Sequence, residues 1–365
     1  MKPAASEDVS KSQVSDVSDA ASSRTTTLIS PEQLRPSCEI VARLLRELDS
    51  QLLGRPELHR LVVVAILSRG HILLEGVPGV GKTALVKVLC QLLQLDGKRV
   101  QFTPDLMPGD ILGTHILQQR SDGNREMVFQ QGPIFTNLLL ADEINRASPK
   151  TQSALLEAMQ ERSVTLLGNT RQLPDPFFVL ASQNPIEMEG TYPLPEAQLD
   201  RFLFKLSVDS PDAAVLEQII AGRRRGEIPT PDFILSADQL KDLFGIMERI
   251  FLPKAVARYI ARLTAATHPN TPEAPPIIKR SISYGASPRA AIALAEAARA
   301  MALLDGRPTV GFSDVRMVAE AVLNHRIIIN YQARFEGLTP KAIIADLLRH
   351  VEETGLKLPP DVSVS

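Results

Sequence analysis

Hydrophobic positions fall into three regimes along this chain. Up to about residue 27, Ser, Thr, Asp, Ala and Lys dominate and no apolar period is present. Such a stretch cannot bury enough surface to offset the entropy of ordering, so a disordered polar tail is expected over 1–27. From 28 to about 210, short continuous apolar runs alternate with amphipathic segments. Ile40, Leu44, Leu45, Leu48 and Leu52 recur at helical spacing, ahead of Leu53-Gly54-Arg55-Pro56. Leu61 to Leu67 is apolar nearly throughout and predicts a helix buried under a sheet. Runs around Ile72–Leu74, Arg99–Phe102, Asn137–Ala141, Phe177–Ser182 and Phe204–Val208 predict strands, the longer ones buried on both faces as in a parallel sheet. Thr103 to Asp110 is too rich in Pro and Gly to promise regular structure. Extended pieces at Thr114–Gln118 and Glu126–Gln130, separated by Ser121-Asp122-Gly123-Asn124, predict a hairpin, either a surface tool or a plain solvent loop. Ser163 to Leu173 predicts a second hairpin around Gly168-Asn169.

Beyond residue 210 no strand pattern is present, and only helical spacing recurs, with start signals at Ser210-Pro211, Ser236, Ser287-Pro288, Ser313 and Thr339-Pro340. The expected architecture is an α/β nucleotide-binding domain with a parallel sheet over 28–210, followed by a small all-helical lid over 211–365.

The chemistry concentrates at strand ends. Gly76-Val77-Pro78-Gly79-Val80-Gly81-Lys82-Thr83 and Ala84 join an apolar strand to a helix, the setting that a phosphate-binding loop requires. Glycines let backbone N–H groups converge on phosphates, and the helix N-terminus adds positive potential. Lys82 is suited to the β- and γ-phosphates, and the Thr83 hydroxyl to Mg²⁺. The apolar run ending at Ala141 stops in Asp142-Glu143, where Asp142 suits a water-mediated hold on Mg²⁺ and Glu143 suits activation of the attacking water. A third run ends in Gln183-Asn184-Pro185, so the Asn184 amide is expected beside these carboxylates; Asn-Pro also simply favours a turn. Arg201 is separated from Lys82 by the sheet order, so it is expected to act on another subunit's phosphate or to pair with Asp200. Arg289 sits just inside a helix N-terminus, where a cation is electrostatically unfavourable, a mild sign of function. Arg223-Arg224-Arg225 reads as a solvated helix end.

Composition narrows the partners. The formal charge is −2 and there is no Trp, so neither a basic surplus nor a basic-aromatic run advertises nucleic acid. A nucleic-acid-translocating motor remains the competing class. A GTPase would need Asn-Lys-x-Asp, and no Asn-Lys dipeptide occurs; Asp110-Ile111-Leu112-Gly113 matches only a short GTPase pattern. The two cysteines, Cys38 and Cys90, lie far apart, and the six histidines are scattered, so neither a disulfide framework nor a zinc site is expected. No apolar run reaches the ~20 residues of a membrane span, and no signal-peptide core opens the chain, so a cytoplasmic protein is expected.

From about Leu34 to Glu353 the chain resembles the MoxR-type AAA+ ATPases of the helix-2-insert clade. The matching stretches are Gly76–Thr83, Gln131-Gly132-Pro133-Ile134-Phe135, Asp142-Glu143-Ile144-Asn145-Arg146-Ala147, Ala181–Pro185, Glu196-Ala197-Gln198-Leu199-Asp200-Arg201-Phe202 and Ser287-Pro288-Arg289. The resemblance implies Asn184 as sensor 1, Arg289 as sensor 2 and Arg201 as an arginine finger acting on a neighbour. It implies adenine contact by Leu53 and Gly54, although Arg55 stands where relatives often carry Gln. It makes the hairpin after Gly113 the helix-2 insert. It further implies ATP and Mg²⁺ as cofactors, a homo-oligomeric ring of six, and chaperone-like action on partner proteins in metal insertion or complex maturation, the usual partners resembling von Willebrand factor A-domain proteins.

Overall fold

The computed structural model describes residues 28–119, 124–185, 190–222 and 229–354. The tail 1–27, most of the first hairpin's turn (Ser121, Asp122 and Gly123) and Arg223-Arg224-Arg225 lie outside the described residues. The chain opens with α1 (Pro31–Gln51), started by a reciprocal cap in which Ser30 Oγ accepts from the Gln33 N–H at 3.3 Å. α2 (Pro56–Leu67), β1 (Ile72–Glu75), α3 (Lys82–Leu93) and β2 (Gly97–Gln101) follow. Then come α4 (Pro108–Leu112), the antiparallel pair β3 (Gly113–Gln119) and β4 (Arg125–Gln131), β5 (Leu138–Asp142) and α5 (Pro149–Glu161). A second antiparallel pair, β6 (Ser163–Leu166) and β7 (Asn169–Gln172), precedes β8 (Phe178–Gln183), α6 (Glu196–Leu199) and β9 (Phe204–Ser207). The remainder is α7 (Ala213–Gly222), α8 (Ala237–Arg249), α9 (Lys254–Ala265), α10 (Pro276–Ser281), β10 (Ile282–Tyr284), α11 (Pro288–Leu304), α12 (Phe312–Leu323), β11 (Ile328–Ile329), α13 (Tyr331–Phe335) and α14 (Pro340–His350).

The main sheet has five parallel strands in the order β2-β5-β8-β1-β9. Alternation along each strand divides the core in two. Ile72, Leu74, Leu138, Leu140, Phe178, Leu180, Phe204 and Leu206 face α1–α3 and the helices beyond residue 210. Leu73, Leu139, Ala141, Val179 and Ala181 face the other way, onto Phe102, Ile111, Leu155, Leu156 and Phe202. Helices therefore cover both faces, as a doubly wound parallel sheet demands.

Three local expectations need correction. Pro108-Gly109-Asp110 starts the short helix α4 rather than breaking structure, because Pro suits the first helical position and the Asp110 carboxylate accepts from the Met107 N–H at 2.8 Å. α2 belongs to the apolar cluster on the α1–α3 side of the sheet and packs chiefly against α1, α8 and α11. Among the described residues beyond 210, the helices are joined by the β10–β11 ladder and an isolated bridge between Phe251 and Thr309, both too short to give an alternating pattern. α7 and α12 start at Asp212 and Gly311 instead of Ser210 and Ser313: the Asp212 carboxylate accepts from the Val215 N–H at 2.8 Å, and that of Asp314 from the Gly311 N–H at 2.7 Å.

Candidate functional site

β1 delivers the Gly76–Gly81 loop to the carboxyl edge of the sheet, and the loop runs into α3. Gly81 caps that helix at φ +97°, and Gly79 sits at φ +84°, left-handed values that favour glycine. A Cβ on Gly79 would meet no atom within 4 Å, so the loop's inner side opens onto free space. Gly76 is needed for a different reason: a Cβ there would lie 2.5 Å from the Val208 carbonyl oxygen, where the end of β9 passes. Lys82 folds back so that Nζ donates to the Gly76 carbonyl at 2.7 Å, and burial lowers its pKa against the opposing pull of Asp142 and Glu143.

β5 is buried along its whole length and ends at Asp142, with Glu143 one step beyond at φ +56°. A non-glycine residue there is strained, and Glu143 lines the same cavity as Gly79, Gly81 and Lys82 of the loop. The neighbouring strands fix both acids. Ser182 Oγ on β8 donates to Asp142 Oδ1 at 2.5 Å and accepts from the Glu143 N–H at 2.9 Å. Arg99 on β2 donates to Asp142 Oδ2 through Nε at 3.0 Å and Nη2 at 2.8 Å. Glu143 Oε2 accepts from Gln101 Nε2 at 2.7 Å and Arg146 Nη1 at 3.0 Å. Asn184 is buried immediately after β8, the strand between those carrying the loop and the acids.

Two cavities meet at Gly79, Gly81 and Lys82. One, of about 300 Å³, is polar and lined by Thr83, Arg99, Gln101, Asp142 and Glu143. The other, of about 320 Å³, is bordered by Leu53, Leu58, His59, Leu85, Leu216 and Ile219. A charged chamber joined to an apolar one fits a phosphate chain joined to a flat base. Gly54, at φ +86°, lets the chain turn beside the apolar chamber, where a Cβ would strike Val215 of α7 at 2.5 Å. Arg55 ties the chambers together, its Nη1 donating to the Val80 carbonyl at 2.7 Å and Nη2 to that of Asp209 at 2.6 Å. The residues present suit Mg²⁺ as well: the Asp142 carboxylate faces the same polar chamber as Thr83.

The chain matches the model of the ATPase family associated with various cellular activities (AAA) over residues 71–204, and that of the AAA lid domain over 276–347. It is 42% identical over 320 residues to Chaperone MoxR1 of Mycobacterium tuberculosis, covering 88% of this chain and 84% of that protein. It is 41% identical over 324 residues to the protein YeaC of Bacillus subtilis, covering 88% and 96%. The crystal structure of a candidate ATPase from Cytophaga hutchinsonii superposes with a TM-score of 0.81 at 39% identity, covering 88% of this chain and 97% of that one. The chain belongs to the MoxR family of AAA+ ATPases. It binds nucleotide and hydrolyses ATP.

In this MoxR-family ATPase, Lys82, Thr83, Asp142, Glu143 and Asn184 converge on one edge of the sheet, whereas Arg201 and Arg289 do not join them. The Leu203 N–H donates to the His71 carbonyl at 2.8 Å, so the Arg201 segment lies at the start of β1 while the phosphate loop leaves its end. At about 3.3 Å per residue the strand alone separates the two by roughly 13 Å. Arg201 and Arg289 instead line a cavity of about 360 Å³ with Asp200 and Arg326. Arg289 Nη1 stands 3.7 Å from Asp200 Oδ2, and Arg201 Nε is buried with no hydrogen-bond partner among the described residues.

Sequence reasoning left Arg99, Gln101 and Ser182 unassigned. Arg99 and Gln101 occupy alternate positions of a strand next to the one ending in Asp142, and that spacing puts both on one face. The signal was present but weak, because a polar edge strand usually means only solvent.

Proposed function

We propose that the chain assembles into a ring, with six subunits as the expected number, and that each nucleotide is hydrolysed at the junction between two subunits. The observation that carries this is the separation of the arginines from the cradle. Arg201 and Arg289 sit on the opposite edge of the sheet, too far to touch the phosphates bound by their own Lys82. The γ-phosphoryl group gathers charge as it departs, and an unpaired guanidinium facing a neighbour's site would stabilise it. ATP would place its phosphates over Gly76–Thr83, with N–H groups from the loop through Ala84 donating, and its base between Leu53, Gly54 and Leu216. Mg²⁺, held by Thr83 and Asp142, would neutralise charge on the phosphates. Lys82 would exchange the Gly76 carbonyl for a phosphate oxygen. Glu143 would take the proton of the attacking water, which Asn184 orients as sensor 1, and Arg289 would serve as sensor 2 in trans. Residues 28–210 form the ATP-binding unit and 211–365 its lid.

The purpose of turnover, in this reading, is to remodel a partner protein during metal insertion or complex maturation in the cytoplasm, with a von Willebrand factor A-domain protein as the expected companion. The β3–β4 hairpin exposes Leu117 and Met127, paired on one face, and Ile116 on the other, apolar groups that suit protein better than phosphate backbone. The formal charge of −2 points the same way, so a nucleic-acid motor is the disfavoured reading. Among the described residues no helix is long and apolar enough to cross a membrane. A pull-down with Glu143→Gln, loaded with ATP, tests the assignment: a protein captured only in the ATP-loaded state supports remodelling. Salt-sensitive retardation of DNA in a gel, with no protein captured, would overturn it. Turnover per subunit should also rise steeply with protein concentration as interfaces form.

A further inference from the structure

A buried ion-pair hub stands directly behind Arg201. Arg326, at the end of the turn after α12, is buried, and its guanidinium is saturated with partners from the segment that carries Arg201. Nε donates to Asp200 Oδ1 at 2.8 Å, Nη1 to the Leu203 carbonyl at 3.1 Å, and Nη2 to the carbonyls of Asp200 at 3.2 Å and Phe202 at 2.6 Å. Nη1 also returns to the Val322 carbonyl at 2.6 Å, fixing the guanidinium to its own helix. The accepting carbonyls lie on both sides of Arg201, so the peptide around that residue has little freedom to rotate. Asp200 carries the connection further. Its Oδ2 accepts from Ser287 Oγ at 2.8 Å, and Ser287 is the N-cap of α11, two residues before Arg289.

We propose that Arg326, through Asp200 and Ser287, is a positioning device that locks Arg201 and Arg289 into one unit, so that both arginines are presented together to the neighbouring subunit's nucleotide. The proposal rests on the trans-acting role of Arg201 given above. Its physical basis is the fork of the guanidinium. Only Arg can hold a carboxylate and several divergent carbonyls at once from one planar group; Lys keeps the charge but loses the fork. A hub of this kind does not touch ATP. It removes the rotamer and loop freedom that would otherwise blur two cations by an ångström or more, an error that costs up to ~10²-fold in rate.

The test uses the full chain with two variants. Arg326→Lys keeps the buried charge and removes the fork. Ser287→Gly leaves the Arg326–Asp200 pair intact and removes the 2.8 Å hydrogen bond from the α11 cap, so that only the longer 3.7 Å approach of Arg289 to Asp200 still joins the two segments; capping suffers little because Gly is tolerated at an N-cap. Each variant is checked for its melting temperature and for binding of a fluorescent ATP analogue, then mixed with Lys82→Ala subunits and separately with Arg201→Ala subunits. Both variants should bind nucleotide like the parent and hydrolyse more slowly, by ten- to a hundredfold for Arg326→Lys and severalfold for Ser287→Gly. Hydrolysis should recover on mixing with Lys82→Ala, whose arginines are intact, and should not recover on mixing with Arg201→Ala. Recovery with Arg201→Ala, or with neither, would put the defect in the cradle or in the fold generally and overturn the proposal. Unchanged turnover in the well-folded Ser287→Gly protein would remove the link between the two arginines. The control mixture of Arg201→Ala with Lys82→Ala separates the two levels. If it stays silent while the parent is active, Arg201 is not a trans finger, and the hub loses its role with it.

Discussion

The two edges of the main sheet handle charge in opposite ways. At the carboxyl edge, the three charged groups of the cradle each find a partner within the chain: Lys82 on Gly76, Asp142 on Arg99 and Ser182, Glu143 on Gln101 and Arg146. At the amino edge, cations outnumber what is there to receive them. Arg326 takes one oxygen of Asp200 and Ser287 the other, Arg289 stands at 3.7 Å from the same carboxylate, and Arg201 Nε has no partner among the described residues. A buried donor without a partner calls for an explanation, and the one proposed above is a phosphate outside the chain. The comparison teaches that chemical completeness and structural completeness are separate properties of this subunit.

Substitutions on each edge should therefore fail differently. The largest effect is expected from Lys82→Ala, which removes the cation of the cradle: ATP binding and hydrolysis should both be lost, as calorimetry with ATP would report. Measurable tight binding in that variant would mean that the loop's backbone does the holding alone. Arg201→Ala comes next. Turnover should drop by ~10³–10⁵-fold with nucleotide affinity unchanged, because each cradle is left whole. If that variant hydrolyses normally, the surplus at the amino edge has no catalytic meaning, and Arg146 or Arg162 becomes the next candidate. Glu143→Gln should keep ATP affinity and slow hydrolysis by roughly 10²–10⁴-fold, the usual contribution of a general base. Equal turnover with Gln in place would take the base role away from Glu143.

The smallest effect concerns pH and stability. His71 lies at the amino edge, just before β1, buried, with Nδ1 accepting from the Val179 N–H at 3.0 Å and Nε2 facing the Met159 carbonyl at 3.2 Å. Burial pushes its pKa down from 6.5 to about 4. The folded state thus binds fewer protons than the unfolded one between these values, so stability should be full above pH 6.5 and fall as the pH drops toward 4. The loss from this one group is on the order of 3 kcal/mol across that window. His71→Gln should flatten the acid limb of a plot of melting temperature against pH; an unchanged limb would assign the acid sensitivity to other groups, such as the buried His325, which is shifted the same way.

Much of this organisation could be read from the residues. The cradle was readable because a phosphate loop must be contiguous, and because a parallel strand buried on both faces leaves an unbroken apolar run that ends in its chemistry, as Leu138–Asp142 does. The supporting side chains were not. Arg99, Ser182 and Arg326 act through contacts formed across 43, 40 and 126 residues of chain, and no local pattern carries information over such spans. The α4 helix was missed because Pro and Gly read as breakers unless the capping Asp110 is recognised. The burial of α2 was legible but its placement against α1, α8 and α11 was not, because an all-apolar helix says that it is covered and not by what.

That placement has a mechanical consequence. α2 is clamped between α1 and the lid helices α8 and α11, one apolar core runs through all four, and Arg60 on α2 pairs with Asp305 at 2.5 Å just past the end of α11. Swinging the lid away from the sheet would tear open that core, at a cost no single phosphate contact could offset. The subunit should therefore behave as a stiff block rather than as a jaw. In the proposed ring, a stroke would then appear at the seam where one block meets the next, and work on a client would be delivered as a change of tilt between neighbours.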